Sequence, residues 1–127
     1  MIKIDGNYLK IDTAGSTYLM KILPTGHVEN VYYGARFDET DYSFIEERKL
    51  FGYGPKAVCG DCAVFANGKS LEFSTLGRGD FREPGIVVNV GGDAVNEFLF
   101  ESAEIVRDFS IPGLPSSTGK AETLKLT

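Results

Sequence analysis

Two cysteines, Cys59 and Cys62, stand in the stretch CGDC and are the only thiols among the 127 residues of the chain. This spacing is typical of a redox couple or of half a zinc site. Zinc needs two further ligands, and the sequence offers one histidine, His27. A redox couple normally lies between a strand and a helix, and no helical pattern follows Cys62. We therefore favour two ordinary thiols, with a disulfide or a metal contact as the alternatives.

The remaining candidates for chemistry are one histidine and several carboxylates. His27 directly follows the turn residue Gly26 and has no serine or cysteine partner nearby in sequence, so a solvent-exposed turn histidine is favoured over a catalytic base. Carboxylates gather in FDETD and IEE, where a solvated face is favoured over the paired acids of glycosidic chemistry. The residues alone predict no active site, no metal and no cofactor.

The tripeptide Arg78-Gly79-Asp80 matches a cell-adhesion signal of other proteins. A glycine between polar residues is typical of any surface turn, and the chain starts without an apolar secretory core. An adhesive ligand is therefore the least favoured hypothesis, and a cytoplasmic location is expected. The net charge of −5 argues against nucleic acid or an anionic membrane as partner.

The elements that must position these residues are strands, because period-2 alternation and turn punctuation dominate the sequence. The expected fold is all-β, an antiparallel β-sandwich. Turns are predicted at Asp5-Gly6-Asn7, Pro24-Thr25-Gly26, Asn67-Gly68-Lys69 and Gly91-Gly92-Asp93. The third joins AVFA to LEFS, and the fourth leads into AVNEFLFESAEIVRDF as one long or bulged strand. The final strand, ETLKLT, would leave an open edge, which suggests a piece of a longer protein.

The acidic stretch DETDYSFIEERKLFGYG breaks the alternation and fits either a short helix near residues 41–50 or an excursion loop. Aromatic residues are dense around it. They could stack on sugar rings, but cross-strand packing is favoured. They are Tyr32, Tyr33, Phe37, Tyr42, Phe44, Phe51 and Tyr53.

Three segments, in order and spacing, resemble the amino-terminal region of bacterial alpha-galactosidases of glycoside hydrolase family 36, the melibiase and raffinose type. They are YLMKILPTGHVENVYYG, STLGRGDFREPGIVV and SAEIVRDFSIPGLPSSTGKAETLKLT. The residues that match the family patterns are Gly26, Val28, Val31, Tyr32 and Gly34; Gly77, Asp80, Phe81, Arg82 and Pro84; and Gly113-Leu114-Pro115 with Glu122-Thr123-Leu124.

The resemblance implies an amino-terminal β-supersandwich, followed in family members by a (β/α)₈ barrel that hydrolyses terminal alpha-linked galactose, as in melibiose and raffinose. Both catalytic aspartates of the family lie in the barrel. Its K-W-D motif is absent here, as is any tryptophan. Residues 1–127 are therefore expected to be a non-catalytic sandwich domain or fragment. Its partners would be the barrel of the same parent chain and other subunits of a homo-oligomer, with galactosides as the parent's substrate. The alternative is a freestanding carbohydrate-binding module.

Within the GDFREP element, Asp80 and Arg82 match the family pattern, whereas Arg78 occupies a variable position. Two residues apart on an extended segment, Asp80 and Arg82 should point to the same side. Arg82 could there hold a carboxylate or backbone carbonyls, with Phe81 entering the core. We interpret the element as a structural corner. A contact with the catalytic domain or a neighbouring subunit is the alternative.

In some family members the amino-terminal domain reaches the active site of an adjacent subunit. The variable loop over residues 35–62 would supply such a contact in this chain. The first substrate-proximal candidates in it are Arg36, Asp38, Asp41 and Tyr42.

Overall fold

The structure, a computed structural model, describes residues 1–45, 56–77, 79–115 and 121–127. Its strands are β1 (Ile2–Asp5), β2 (Tyr8–Asp12), β3 (Ser16–Ile22), β4 (Val28–Ala35), β5 (Ala57–Cys59), β6 (Cys62–Val64), β7 (Ala103–Arg107) and β8 (Glu122–Leu126). A 3₁₀ turn spans Ala66–Gly68. Within the described residues, no helix is long and apolar enough to cross a membrane.

The largest sheet is antiparallel and has the strand order β1-β2-β3-β4. The two hairpins predicted around Asp5-Gly6-Asn7 and Pro24-Thr25-Gly26 are confirmed. Gly26 has a φ of 84°, which a residue with a Cβ adopts only with strain. The β3–β4 register shifts between Leu19 and Met20, a β-bulge that leaves Val31 as the extra residue.

One face of this sheet forms the core with the β7–β8 hairpin. Leu9, Met20 and Val28 are buried there. Partly buried apolar residues of the second layer pack against them: Phe100, Ala103, Leu124 and Leu126. Two antiparallel layers therefore enclose an apolar core, and the predicted all-β sandwich is confirmed.

The opposite face of the sheet is buried as well. Thr17 and Leu19 are completely buried on it, and their cross-strand partners are Asp12 and Lys10. The chain after β4 returns over this face, with Tyr42 packing on the ring of Tyr8. The alternation of apolar and polar residues along β2 assigns this face to solvent. Residues that follow β4 cover it instead.

One predicted strand pairing is wrong. AVFA does not pair with LEFS, because β6 pairs with β5 while the residues after the 3₁₀ turn run beside β4. There the Asn30 amide donates to the Ser70 carbonyl over 2.7 Å, and the Glu72 amide donates to the Val28 carbonyl over 2.9 Å. The edge of β4, a strand of eight residues, is longer than AVFA. Residues 70–72 therefore lie beside β4 instead of pairing with AVFA.

The long strand expected after Gly91-Gly92-Asp93 is also shorter than predicted. The turn closes with a single bridge between Val90 and Asp93, and only residues 103–107 form a ladder, with β8. Upstream, the Phe100 amide instead donates to the Gly26 carbonyl over 2.7 Å. In the range of the expected helix, residues 43–45 form a turn and residues 46–50 lie outside the described part of the chain.

Replacing Leu9 by alanine should lower the free energy of unfolding by about 2–5 kcal/mol, because it removes a fully buried side chain and leaves a cavity. Urea unfolding of the chain measures this change. The control is Leu114→Ala at an exposed position, which should change the value by less than about 0.5 kcal/mol. Equal losses in both variants would contradict the core assignment.

Candidate functional site

The excursion, defined as residues 36–69 between β4 and the segment that runs beside it, begins over a buried ion pair. Lys10 is 2% exposed and Asp12 is 5% exposed, with the Lys10 Nζ atom 3.5 Å from the Asp12 Oδ2 atom. Lys10 Nζ also donates to the Phe37 carbonyl over 2.6 Å and lies 4.4 Å from the centroid of the Phe37 ring. The ammonium is therefore compensated by a carboxylate, a carbonyl and an aromatic face.

Thr17 completes this first ion-pair site. Its hydroxyl donates to Asp12 Oδ1 over 2.5 Å and accepts from the Phe37 amide at 3.3 Å. Burial acts to raise the pKa of Asp12, but the Thr17 hydrogen bond and the Lys10 charge outweigh it and hold the pKa below 3.8. Asp12 is thus kept ionised in the interior, and both backbone polar groups of Phe37 are bound.

The excursion ends over a second ion pair, Asp80 with Arg82. Arg82 Nε donates to Asp80 Oδ1 over 2.9 Å, and Arg82 Nη2 donates to Asp80 Oδ2 over 2.6 Å. The Arg82 amide adds a third bond to Oδ1 at 3.2 Å. Asp80 is 3% exposed, and the hydrogen bonds from Arg82 hold its pKa below 3.8 against the effect of burial. This is the bidentate geometry for which the planar guanidinium is suited.

The same guanidinium reaches the end of the excursion. Arg82 Nη2 donates to the carbonyls of Lys69, at 2.8 Å, and Ala66, at 3.2 Å. The turn before it needs glycine, because Gly77 has a φ of 90° and an added Cβ would stand 2.8 Å from a methyl carbon of Val95. Both contacts expected of Arg82, to a carboxylate and to backbone carbonyls, are therefore present.

The structure contradicts the expectation for the neighbouring residue Phe81. Phe81 does not enter the core but is 62% exposed. Alternation along the segment points Asp80 inward, so the intervening ring points outward. The role of Asp80, Phe81 and Arg82 as an interface stays a prediction, and Arg78 lies outside the described residues.

The expectation of a solvent-exposed histidine is wrong, because His27 is buried. Its Nδ1 atom is 2.9 Å from the Thr25 hydroxyl, and its Nε2 atom is 3.4 Å from a carboxylate oxygen of Glu97. The Phe100 amide donates a hydrogen bond to the Gly26 carbonyl, which holds this turn against residues 97–100. His27 therefore joins two segments of the fold.

The four substrate-proximal candidates lie at the start of the excursion. Arg36 and Asp38 form an ion pair at 3.3 Å. Asp41 accepts a hydrogen bond from the Ser43 amide at 3.0 Å, which holds the pKa of Asp41 below 3.8. Tyr42 is buried against other rings. Three candidates therefore face outward and the fourth packs inward, and contact with substrate stays a prediction for all four.

The CGDC stretch forms the β5–β6 hairpin. Cys59 and Cys62 are Cα partners across a turn in which Gly60 has a φ of 56°. The Cys62 thiol is free and exposed. Among the described residues, no group of three or more histidine, cysteine, aspartate or glutamate side chains could hold a metal ion.

The comparisons with known proteins point in one direction. Residues 26–127 match the model of the glycosyl hydrolase family 36 N-terminal domain. The chain is 29% identical over 122 residues to the bifunctional alpha-galactosidase/sucrose kinase AgaSK of Mediterraneibacter gnavus, an alignment that covers 91% of this chain.

Two solved structures share the fold. The alpha-galactosidase from Lactobacillus brevis is 22% identical, with a TM-score of 0.77 and 97% of this chain covered. The galactosidase domain of AgaSK is 23% identical, with a TM-score of 0.79 and 99% of this chain covered. The chain spans 13% of the AgaSK sequence and 18% and 19% of the two structures, respectively.

Acidification should weaken the fold through both buried aspartates. Because the pKa values of Asp12 and Asp80 in the folded chain lie below the ordinary 3.8, their contribution to stability is complete above that value. It is lost as the pH falls through the lowered pKa values. The urea concentration at the midpoint of unfolding should fall steeply as the pH is lowered from about 5 to about 2. In Asp80→Asn it should fall less steeply, because one of the two titrating carboxylates is gone. The control is Asp61→Asn, at the exposed hairpin turn. A slope for Asp80→Asn equal to that of the wild type would contradict this account.

Replacing Phe81 by serine should change the free energy of unfolding by less than about 0.5 kcal/mol, because the ring is exposed. Urea unfolding is again the measurement. A loss of several kcal/mol, as expected for a core aromatic, would show instead that Phe81 is buried in solution.

Proposed function

Because this chain belongs to glycosyl hydrolase family 36, whose N-terminal domain its residues 26–127 match, we propose that it is the amino-terminal β-sandwich portion of an alpha-galactosidase. The parent enzyme would remove terminal alpha-linked galactose from galactosides such as melibiose and raffinose. The family match over most of the chain is the observation that carries the proposal. The relative and the two structures, all alpha-galactosidases or their domains, support it.

In this proposal the chain itself is not catalytic. Retaining glycosidases need two carboxyl groups about 5–5.5 Å apart, one to attack and one to transfer a proton. The buried aspartates of the described residues are already engaged, Asp12 by Lys10 and Asp80 by Arg82. The catalytic carboxylates would therefore come from the barrel of the parent chain.

The role of the chain would be to pack on the barrel and to assemble subunits of a homo-oligomer. An apolar groove of about 270 Å³ lies beside the core and is lined mainly by Val28, Phe73, Phe98, Leu99, Phe100 and Leu126. Further apolar side chains of the chain are exposed, namely Val87, Val90 and Val95. Surfaces of this kind mark contacts with other protein surfaces, and we assign this one to the remainder of the parent chain. The net charge of −5 argues against nucleic acid or an anionic membrane as a partner, and the location that we propose is cytoplasmic.

The test is to express the uninterrupted natural reading frame that contains this chain, and the chain alone in parallel. Each is assayed for release of an aryl leaving group from an alpha-galactoside. We expect activity in the long protein and none in the chain alone, because the catalytic carboxylates lie outside it. Activity of the chain alone, or inactivity of a folded long protein, would overturn the proposal.

A second candidate, a carbohydrate-binding module, is favoured by one exposed ring. Tyr33 is 73% exposed and lies 5.8 Å from Tyr18, whose hydroxyl donates to Glu72. A tyrosine face beside a carboxylate suits the amphipathic face of a sugar. Saturable binding of galactosides by the chain, lost in Tyr33→Ala and kept in the control Phe44→Ala, would favour this function. Flat titrations would dismiss it.

A further inference from the structure

The two ion pairs share one design. In each, a cation and a carboxylate stand two residues apart on one segment, Lys10 with Asp12 and Asp80 with Arg82. In each, the cation also binds backbone carbonyls of the excursion, and these carbonyls lie at its opposite ends. We propose that Lys10 and Arg82 are positioning residues that anchor the two ends of the excursion on the sheet, Lys10 at residues 36–38 and Arg82 at residues 66–69. This inference does not depend on the assignment to an alpha-galactosidase.

The first anchor fixes residues 36–38 on the sheet. The Phe37 carbonyl is bound by Lys10 and the Phe37 amide by Thr17, so both backbone groups of one residue are held by the buried face. Next to it, the Arg36 amide donates to the Gly15 carbonyl over 3.1 Å. The chain can therefore leave β4 in one direction only, back across the sheet.

Aromatic packing carries the first anchor into the excursion. The rings of Phe37 and Tyr42 lie 6.2 Å apart, and the ring of Tyr42 lies 4.8 Å from that of Tyr8. Phe44 extends the row, 6.4 Å from Phe37. Movement of Phe37 would displace this row, because rings at these distances are packed against one another.

The second anchor fixes residues 66–69. Arg82 holds the carbonyls of Ala66 and Lys69, and Ala66 is buried. Lys69 is also paired through its side chain, 3.0 Å from Glu29 on β4. The β5–β6 hairpin leads directly into this end, and its Val58 and Cys62 side chains are exposed. An exposed two-stranded hairpin has little stability of its own, so we expect its order to depend on the anchor at residues 66–69.

An anchor and a merely local contact differ in their effect on backbone amides that neither cation touches. Only the loss of an anchor should loosen such amides. Backbone hydrogen exchange in the intact chain is the readout, at residues 43–45 for Lys10 and at residues 57–64 for Arg82. In Lys10→Met we expect exchange of the Ser43 and Ile45 amides to rise about tenfold or more, since the change strands a buried carboxylate. In Arg82→Met we expect the same rise at the amides of residues 57–64. Exchange in β7 and β8 should rise by a smaller factor, because neither cation touches these strands and the core beneath is kept.

The matched control is Lys125→Met, which removes an exposed lysine paired with Glu104 across β7 and β8. It should leave exchange of residues 43–45 and 57–64 unchanged, because exposed pairs contribute little. Faster exchange confined to residues 36–38 in Lys10→Met, or to residues 66–69 in Arg82→Met, would overturn the proposal.

A milder variant keeps the test decisive if either methionine variant fails to fold. Arg82→Lys retains the charge but loses the fork that reaches Asp80 and two carbonyls together. We expect a smaller rise in exchange at residues 57–64, about threefold, with the sheet unaffected. Wild-type exchange of these amides in Arg82→Lys would equally overturn the proposal.

Discussion

A charge buried in a protein must be neutralised where it lies, and this constraint shapes both ends of the excursion. Lys10 and Asp12 stand on the face of β2 that a small sandwich would normally turn to water. Once that face is covered by residues 36–45, each charge must find its partner, and the spare donors of Lys10 are satisfied by the chain that covers it. Removing one member of such a pair costs about 3–5 kcal/mol, whereas replacing both can be neutral. These pairs therefore fix geometry more than they add stability.

The hairpins and the two-layer class were predictable because they depend on local signals. Alternation from Leu9 to Asp12 and the turn at Gly26 determine which strands pair and which face is apolar. The family patterns likewise singled out Asp80 and Arg82, and their spacing placed both side chains on one side of the segment. Each of these inferences uses residues only a few positions apart, where backbone geometry limits the outcomes.

The first ion pair was not predictable from the same signals. The alternation that placed Leu9 in the core placed Lys10 outside it, and nothing near Lys10 indicates that Phe37 will return over it. His27 was misplaced for the same reason, since its cover comes from residues 97–100. Burial by a distant segment is a property of the whole topology. The only local sign was the pairing of lysine and aspartate on one face of a strand, which surface strands also show.

The two kinds of contact in this chain act at different places. Ion pairs and carbonyl contacts determine where the excursion leaves and rejoins the sheet, while the apolar side chains of Val87, Val95 and Leu99 stay exposed. A polar network can hold a loop in place without a large core, because its hydrogen bonds are directional and short in range. An exposed apolar surface, in contrast, is stabilised only when another surface removes it from water. A domain built this way keeps its own loop geometry and gains stability from what it packs against, which is what we propose for the scaffold part of a larger enzyme.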